Sequence, residues 1–195
     1  MTLRIAPISG PALEVALPHI AQLRVEIFRA FPYLYDGDVA YEAQYLRPYV
    51  DSPDAVVIGA WDGDRLVGAA TGTPMEDHAG AFGAPFTARG YDLSTIFYCA
   101  ESVLLPAYRG RGIGHAFFDE REAKARALGR THIAFCAVIR PEDHPAQPGD
   151  YRPLDPFWRR RGYSPVEGLI TSFGWIDIGN DTETNKQMQF WMRDL

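Results

Sequence analysis

The residues with the clearest capacity for chemistry are glycines. From Glu101 to Phe118 the chain reads ESVLLPAYRGRGIGHAFF: an apolar run, a break at Pro106, a loop holding Gly110, Gly112 and Gly114, and then a stretch with helical character. A helix that begins there turns its unpaired N–H groups and the positive end of its dipole toward the loop, which makes an anion site without any particular side chain. With no Cβ at the three glycines, a phosphate can approach the backbone closely. The ligand predicted is therefore one that carries phosphate. A loop of the NTPase kind needs Lys and then Ser or Thr after its last glycine, and here Gly114 is followed by His115 and Ala116. A dinucleotide-binding turn needs a further glycine where Phe117 stands and an acid in the next strand, which reads THIAFCAV.

What remains is Arg109-x-x-Gly112-x-Gly114 directly after an apolar strand and a proline, followed in order by a helix, a strand and the segment FWRRRGY. This arrangement resembles the acyl-CoA pyrophosphate loop of the GNAT N-acetyltransferase superfamily, and FWRRRGY is similar to the family's helix-ending FYEKLGF element. The likeness is close over residues 97–163 and extends to the flanks through the order of elements. It implies an α/β GNAT fold, a mixed central sheet with helices on both faces, and acetyl-CoA as co-substrate. By the same resemblance the strand before the loop is bulged, and the backbone of Val103, Leu104 and Leu105 pairs with the pantetheine arm like an added strand. Arg109, Gly110, Arg111, Gly112, Ile113 and Gly114 would hold the pyrophosphate. The expected activity is N-acetyl transfer from acetyl-CoA to the amine of a small molecule. A peptide or protein N-acetyltransferase, which needs an open groove, and a non-catalytic acyl-CoA-binding sensor are the alternatives.

Acetyl transfer to an amine requires a base for the ammonium proton, donors for the developing oxyanion and an acid for the leaving thiolate. The family usually places a Glu on the strand before the loop. Glu101 is the only acid between Asp92 and the loop, although it stands one residue nearer the loop than the family's pattern, so its facing is open and a buried structural acid is the other reading. The family's usual acid, a Tyr four residues before the glycine of FYEKLGF, is here Trp158, which cannot protonate a thiolate. Tyr151, then Tyr163, are the replacements to consider, and unassisted departure of the thiolate is chemically reasonable.

Between the strand after the loop's helix and the last helix lies RPEDHPAQPGDYRPLDP, seventeen residues holding Asp143, His144, Asp150, Tyr151 and Arg152. It reads as a lid or as a proline-padded surface loop. His144 beside Asp143 has no Cys or His cluster to support it, so no metal site is expected, and His19 and His132 read as structural. Arg159, Arg160 and Arg161 form either a solvated helix face or a contact to CoA phosphates. By resemblance, the acceptor pocket would draw on Phe31, Tyr33, Tyr35, Asp36, Asp38, Tyr41 and Glu42, with Trp175 and Trp191 across from it. Aromatics beside acids suit a small cationic or amphipathic amine, and ordinary loop packing explains them as well.

The wider chain sets the context. With 195 residues, 47% of them apolar, one domain, 1–195, is expected to hold a substantial core. A net charge of −6 argues against a nucleic-acid partner. No apolar stretch is long enough to span a membrane and the N-terminus lacks signal-peptide character, so a cytoplasmic protein is expected. Cys99 and Cys136 in apolar strands read as buried thiols of a reducing compartment. Assembly as a homodimer stays open. Apolar spacing and breakers predict a strand at 2–8, helices at 19–30 and 39–50, and a hairpin turning at Asp62-Gly63-Asp64-Arg65. A short helix is expected within 79–88, then a strand at 94–105 and a helix at 112–128 capped by Gly129. A strand at 131–139, a short helix at 157–161 and a closing strand pair complete the order.

Overall fold

The computed structural model describes residues 3–195, so Thr2, expected to open the first strand, lies outside the described residues. The chain runs β1 (Leu3–Ile8), α1 (Pro11–Phe28), α2 (Val39–Tyr45), α3 (Arg47–Asp51), β2 (Val56–Asp62), β3 (Arg65–Pro74), α4 (Ala84–Thr87), β4 (Ile96–Tyr98) and β5 (Ser102–Leu104). It continues through α5 (Ile113–Ala127), β6 (His132–Val138), α6 (Asp155–Arg160), β7 (Ser164–Ile176) and β8 (Glu183–Asp194). The sheet order is β1-β2-β3-β4-β6-β8-β7, with β5 paired to β3. Among the described residues only β4 and β6 pair in parallel, and α5 is the crossover between them. This is the expected mixed α/β architecture.

Helix α1 packs on β3 and β5, whereas α5 lies across β1, β2 and β3. Alternation along the strand before the loop divides the core accordingly. Phe97 and Cys99 pack with Phe118 of α5, and Tyr98 packs with Met75, Phe82, Cys136 and Met188 in a second cluster. A third cluster joins Leu13, Leu17, Ile20 and Leu23 of α1 to Val67, Ala69, Val103 and Leu105.

Three elements differ from the expectation, each for a local reason. Helix α1 begins at Pro11 rather than His19 and continues through Pro18. Pro18 removes one helix hydrogen bond, but Leu13 and Leu17 are buried by the extra turns, and each such burial contributes about 1.5–3 kcal/mol. The helix expected at 39–50 is two, parting at Leu46 because Pro48 cannot continue the ladder, while Asp38 caps α2 by accepting from the Tyr41 N–H at 2.9 Å. The strand expected at 94–105 is split into β4 and β5, and that split creates the site.

Candidate functional site

Gly110 and Gly112 take left-handed backbone conformations, φ 74° and 80°, and Gly112 caps α5 without a side-chain hydrogen bond. The Ala116 N–H donates to the Gly112 carbonyl at 3.1 Å, so the N–H groups of Ile113, Gly114 and His115 precede the first bond of the helix. A Cβ placed on Gly110 or Gly112 would meet no heavy atom within 4 Å. The loop thus presents open space above free donors, with the exposed Arg109 and Arg111 on its rim and the Arg111 guanidinium 5.2 Å from the Tyr108 ring.

Upstream of the loop, one residue of β3 faces two of the next strand: the Ala100 N–H donates to the Thr71 carbonyl at 3.2 Å, and the Thr71 N–H donates to the Glu101 carbonyl at 3.1 Å. This is a β-bulge. Arg121 of α5, 1% exposed, pins it by donating from Nη1 to the carbonyls of Glu101 (3.1 Å) and Thr71 (3.4 Å). Beyond the bulge β5 stays on β3 but leaves β6. The last contact is the Cys99 N–H donating to Ala134, while Phe135–Val138 pair only with β8. A cleft opens between β5 and the second half of β6. The Leu105 N–H is committed to Val67, and by alternation Val103 also faces β3, so Ser102 and Leu104 are the residues whose backbone groups look into the cleft.

The bulge turns Glu101 toward α1. Its side chain is 6% exposed, and Arg24 Nη1 lies 2.6 Å from its Oε2, off the line of a hydrogen bond. Arg24 Nε donates to Glu42, whose other oxygen accepts from the Tyr35 hydroxyl at 2.6 Å. The guanidinium also lies between the rings of Tyr45 (4.5 Å) and Phe28 (5.0 Å). Two buried carboxylates against one guanidinium leave an excess negative charge, and Glu101 Oε1 has no hydrogen-bond partner among the described residues. Burial first, and then the Glu101 charge, push the Tyr45 and Tyr49 hydroxyls above their ordinary range.

Beside this network is an open depression of about 420 Å³ lined by Tyr45, Pro48, His78, Phe82 and Phe173, with Gln44 at its edge. Its rings form a continuous set: Tyr45 to Phe173 6.5 Å, Phe173 to Phe82 5.7 Å, and Phe82 to His78 5.8 Å between centroids. His78 is held below its usual range, chiefly by burial and against the pull of Glu101 and Asp77, so it is neutral at pH 7. A larger depression of about 770 Å³ runs outside α1 past Arg4, Val15, His19 and Trp61, and Glu101 lines neither of the two.

Tyr33 packs between Phe28 (4.6 Å) and Trp175 (5.9 Å between ring centroids). Its hydroxyl is pushed up by burial, next by the Cys136 thiol, and also by Glu101 and Tyr151, against the pull of Arg24. Tyr151 meets the Phe31 ring edge-on at 4.7 Å, and His144 lies 5.6 Å from the same ring. Arg140, at the start of the insertion, donates to the carbonyls of Pro32 (2.8 Å) and Tyr33 (2.7 Å) and pairs with Asp177 at 3.0 Å. The insertion is thus tied across the loop after α1. His144 Nδ1 accepts from the Ala146 N–H at 3.1 Å, a turn-holding role.

Other expected pocket residues lie elsewhere. Asp36 pairs with Arg29 on the surface and Tyr41 is 55% exposed. Trp175 packs on Tyr33 at 5.9 Å as expected, but Trp191 does not face it. It lies with Trp158 (5.1 Å) and Phe135 in the cluster on the α5 side, because alternation on β8 sends it there. Trp158 also packs on Phe135 at 4.9 Å. The Tyr163 hydroxyl donates to Glu122 at 3.0 Å, and Arg161 pairs with the same carboxylate at 2.9 Å and with Asp119 at 2.7 Å. Arg161 is therefore spent on the α5 surface rather than on a ligand, while Arg160 is exposed.

Comparison with known proteins agrees with this geometry. The profile of the Acetyltransferase (GNAT) family matches residues 20–148. Among curated proteins the sequence finds no match. Many solved structures share the fold. YncA of Salmonella typhimurium, solved with its cofactor acetyl-CoA, superposes with a TM-score of 0.63 at 11% identity, covering 100% of this chain and 95% of that one. NAA60 of Arabidopsis thaliana in complex with a bisubstrate analogue gives 0.64 at 14%, covering 100% and 99%. The ribosomal-protein-alanine N-acetyltransferase of Brucella melitensis gives 0.60 at 15%, covering 100% of both chains. At these identities the likeness concerns the fold.

Proposed function

The chain belongs to the GNAT acetyltransferase family, and we propose that within it the protein transfers the acetyl group of acetyl-CoA to the amine of a small molecule, with Glu101 as the proton acceptor. The observation that carries this reading is a single line of features. The glycine loop with its free helix N–H groups lies at one end, the open edge of β5 in the middle, and the unpartnered Oε1 of Glu101 at the buried end.

These features fit acetyl-CoA as substrate. The donors of Ile113, Gly114 and His115 would take the pyrophosphate, with Arg109 and Arg111 beside it and Gly110 and Gly112 giving clearance. The backbone groups of Leu104 and Ser102 would pair with the amide-bearing arm, while Val103 and Leu105 support that edge from β3 and the buried core. An acceptor arriving as an ammonium ion gives one proton to Glu101 Oε1, directly or through a water molecule. The freed nitrogen pair then forms the N–C bond to the thioester carbonyl as the C–S bond breaks. The sulfur leaves with that electron pair and ends as a thiol by taking the second amine proton. We assign that donation to the hydroxyl of Tyr151, with Tyr33 as the second candidate, both of them protonated at neutral pH. Trp158 serves as a packing wall.

A small acceptor is favoured by the insertion, which is tied over the loop after α1 through Arg140 and the Phe31–Tyr151 contact, as a covered rather than an open groove would be. The test is release of free CoA thiol from acetyl-CoA in the presence of small amines or of peptides. Release that depends on a small amine is the expected result. Release with peptides alone would select a peptide N-acetyltransferase, and binding of acetyl-CoA without release would select a sensor.

A further inference from the structure

Two parts of the site have to keep a fixed separation: the N–H donors at the start of α5 and the backbone edge of β5 at Ser102 and Leu104. One side chain joins them. Arg121 stands on α5, and its guanidinium donates from Nε to the Phe117 carbonyl of the same helix at 3.2 Å and from Nη1 to the carbonyls of Glu101 and Thr71, one on each strand of the bulge. Across that point the pairing of β3 shifts register by one residue, between Thr73 opposite Tyr98 and Ala70 opposite Ser102. A group that needs carbonyls of both strands within reach fixes where the extra residue sits. A slip of one residue would turn the backbone groups of Ser102 and Leu104 toward β3 and away from the cleft. Gly72 leaves the side chain its room, since a Cβ there would meet the Phe97 ring and lie 3.3 Å from Arg121 Cδ.

Stability does not account for this arrangement. Arg121 is 1% exposed, its hydrogen-bond partners among the described residues are those three carbonyls, and Nη2 has none there. A buried cation held by neutral oxygens carries a desolvation cost, which the Phe118 ring, 4.5 Å away, offsets in part. Each carbonyl also keeps a backbone donor of its own. Glu101 accepts from the Thr71 N–H, Thr71 accepts from the Ala100 N–H, and Phe117 accepts within the helix ladder, so none is orphaned without the guanidinium. We propose that Arg121 is a positioning residue for acetyl-CoA: it locks the bulge to the helix that carries the phosphate loop, and so aligns the edge of β5 with the coenzyme's amide-bearing arm once the pyrophosphate is seated. This rests on the acetyl-CoA reading of loop and cleft. An edge held ready in this way spares the arm the cost of ordering it on binding.

The experiment measures, by calorimetry on the full chain, the affinities for acetyl-CoA and for ADP, which carries the pyrophosphate without the arm. Their ratio reports what the arm contributes. Arg121→Met keeps the aliphatic stem and removes the donors. The ratio is expected to fall by at least about tenfold in this variant, while ADP affinity stays within about threefold of the native value and Tm moves by only a few degrees. Arg121→Lys, which reaches the carbonyls with a single nitrogen, is expected to recover part of the ratio. An unchanged ratio in Arg121→Met, or an equal loss for both ligands as a merely structural role would give, overturns the inference and leaves acetyl-CoA binding standing. Should Arg121→Met fail to fold, the comparison passes to Arg121→Lys: a ratio at least about threefold below native supports the inference, and the native ratio overturns it. A native protein that binds neither ligand removes the acetyl-CoA reading and this inference with it.

Discussion

Replacing Arg24 by Met tests the buried network from which the site is built. Arg24, Glu42 and Glu101 have side chains 9%, 2% and 6% exposed, and the guanidinium is the counter-charge of both carboxylates. Removing it leaves two buried negative groups facing one another. Breaking one buried pair in this way costs about 3–5 kcal/mol, and loss of the ring contacts to Phe28 and Tyr45 adds about 0.5–1 kcal/mol, part of which the Met side chain restores by packing. A loss near 4 kcal/mol is thus expected, about a quarter or more of a typical domain's stability of about 5–15 kcal/mol. For a chain of this length it corresponds to a fall in Tm of about 10 °C. Urea unfolding at pH 7, followed by tryptophan fluorescence, reads it directly. The double variant Arg24→Met/Glu42→Gln removes one of the stranded charges and should be more stable than Arg24→Met alone, a coupling that independent sites would not show. A loss below about 1 kcal/mol for Arg24→Met, or strict additivity, would refute the claim that this guanidinium neutralises the two acids.

The loop, the wall and the thiols give three further expectations. Gly112→Ala, at φ 80° and beside free donors, should weaken acetyl-CoA binding more than tenfold by calorimetry while lowering Tm by only a few degrees. Trp158→Tyr should lower thermal stability without raising turnover, since the indole packs on Phe135 and Trp191, whereas Tyr151→Phe should slow acetyl transfer at least tenfold. Burial pushes the thiols of Cys99 and Cys136 up to about 11 and about 12, so neither should react with a thiol reagent in the native protein at pH 8. Their contribution to stability is fully present below about pH 9, where unfolded thiols keep their protons, and is lost as pH rises toward those values. Chemical unfolding at pH 8 and pH 10 should show that fall.

Much of this was legible in the chain because local rules carried it. Glycine spacing after a strand and a proline located the loop, and apolar periodicity located most elements. The bulge was expected only through family likeness, and the missing information is physical: one residue of β3 facing two is a pairing property, and the Arg121 that pins it lies on another element. Arg24 and Arg121 each carry a signal in the sequence. Arg24 follows Ile20 and Leu23 on the apolar stripe of α1, and Arg121 continues Ile113 and Phe117 on α5. A charge on a buried stripe implies a buried partner. Glu42 was expected in the acceptor region, yet its partner, Arg24, is eighteen residues away in sequence and only folding joins them. Trp191 was misplaced because sequence alone does not reveal which face of β8 meets α5.

The central claim is that Glu101 moves the acceptor's proton while the glycine loop and the open edge of β5 hold acetyl-CoA. Glu101→Gln keeps the side chain's shape and removes its basicity. Measured side by side, acetyl-CoA affinity by calorimetry should stay within a few-fold of the native value, while amine-dependent thiol release falls by roughly 10²–10⁴. Full turnover in this variant, with the native dependence on pH, would show Glu101 to be only the buried partner of Arg24 and would contradict the account.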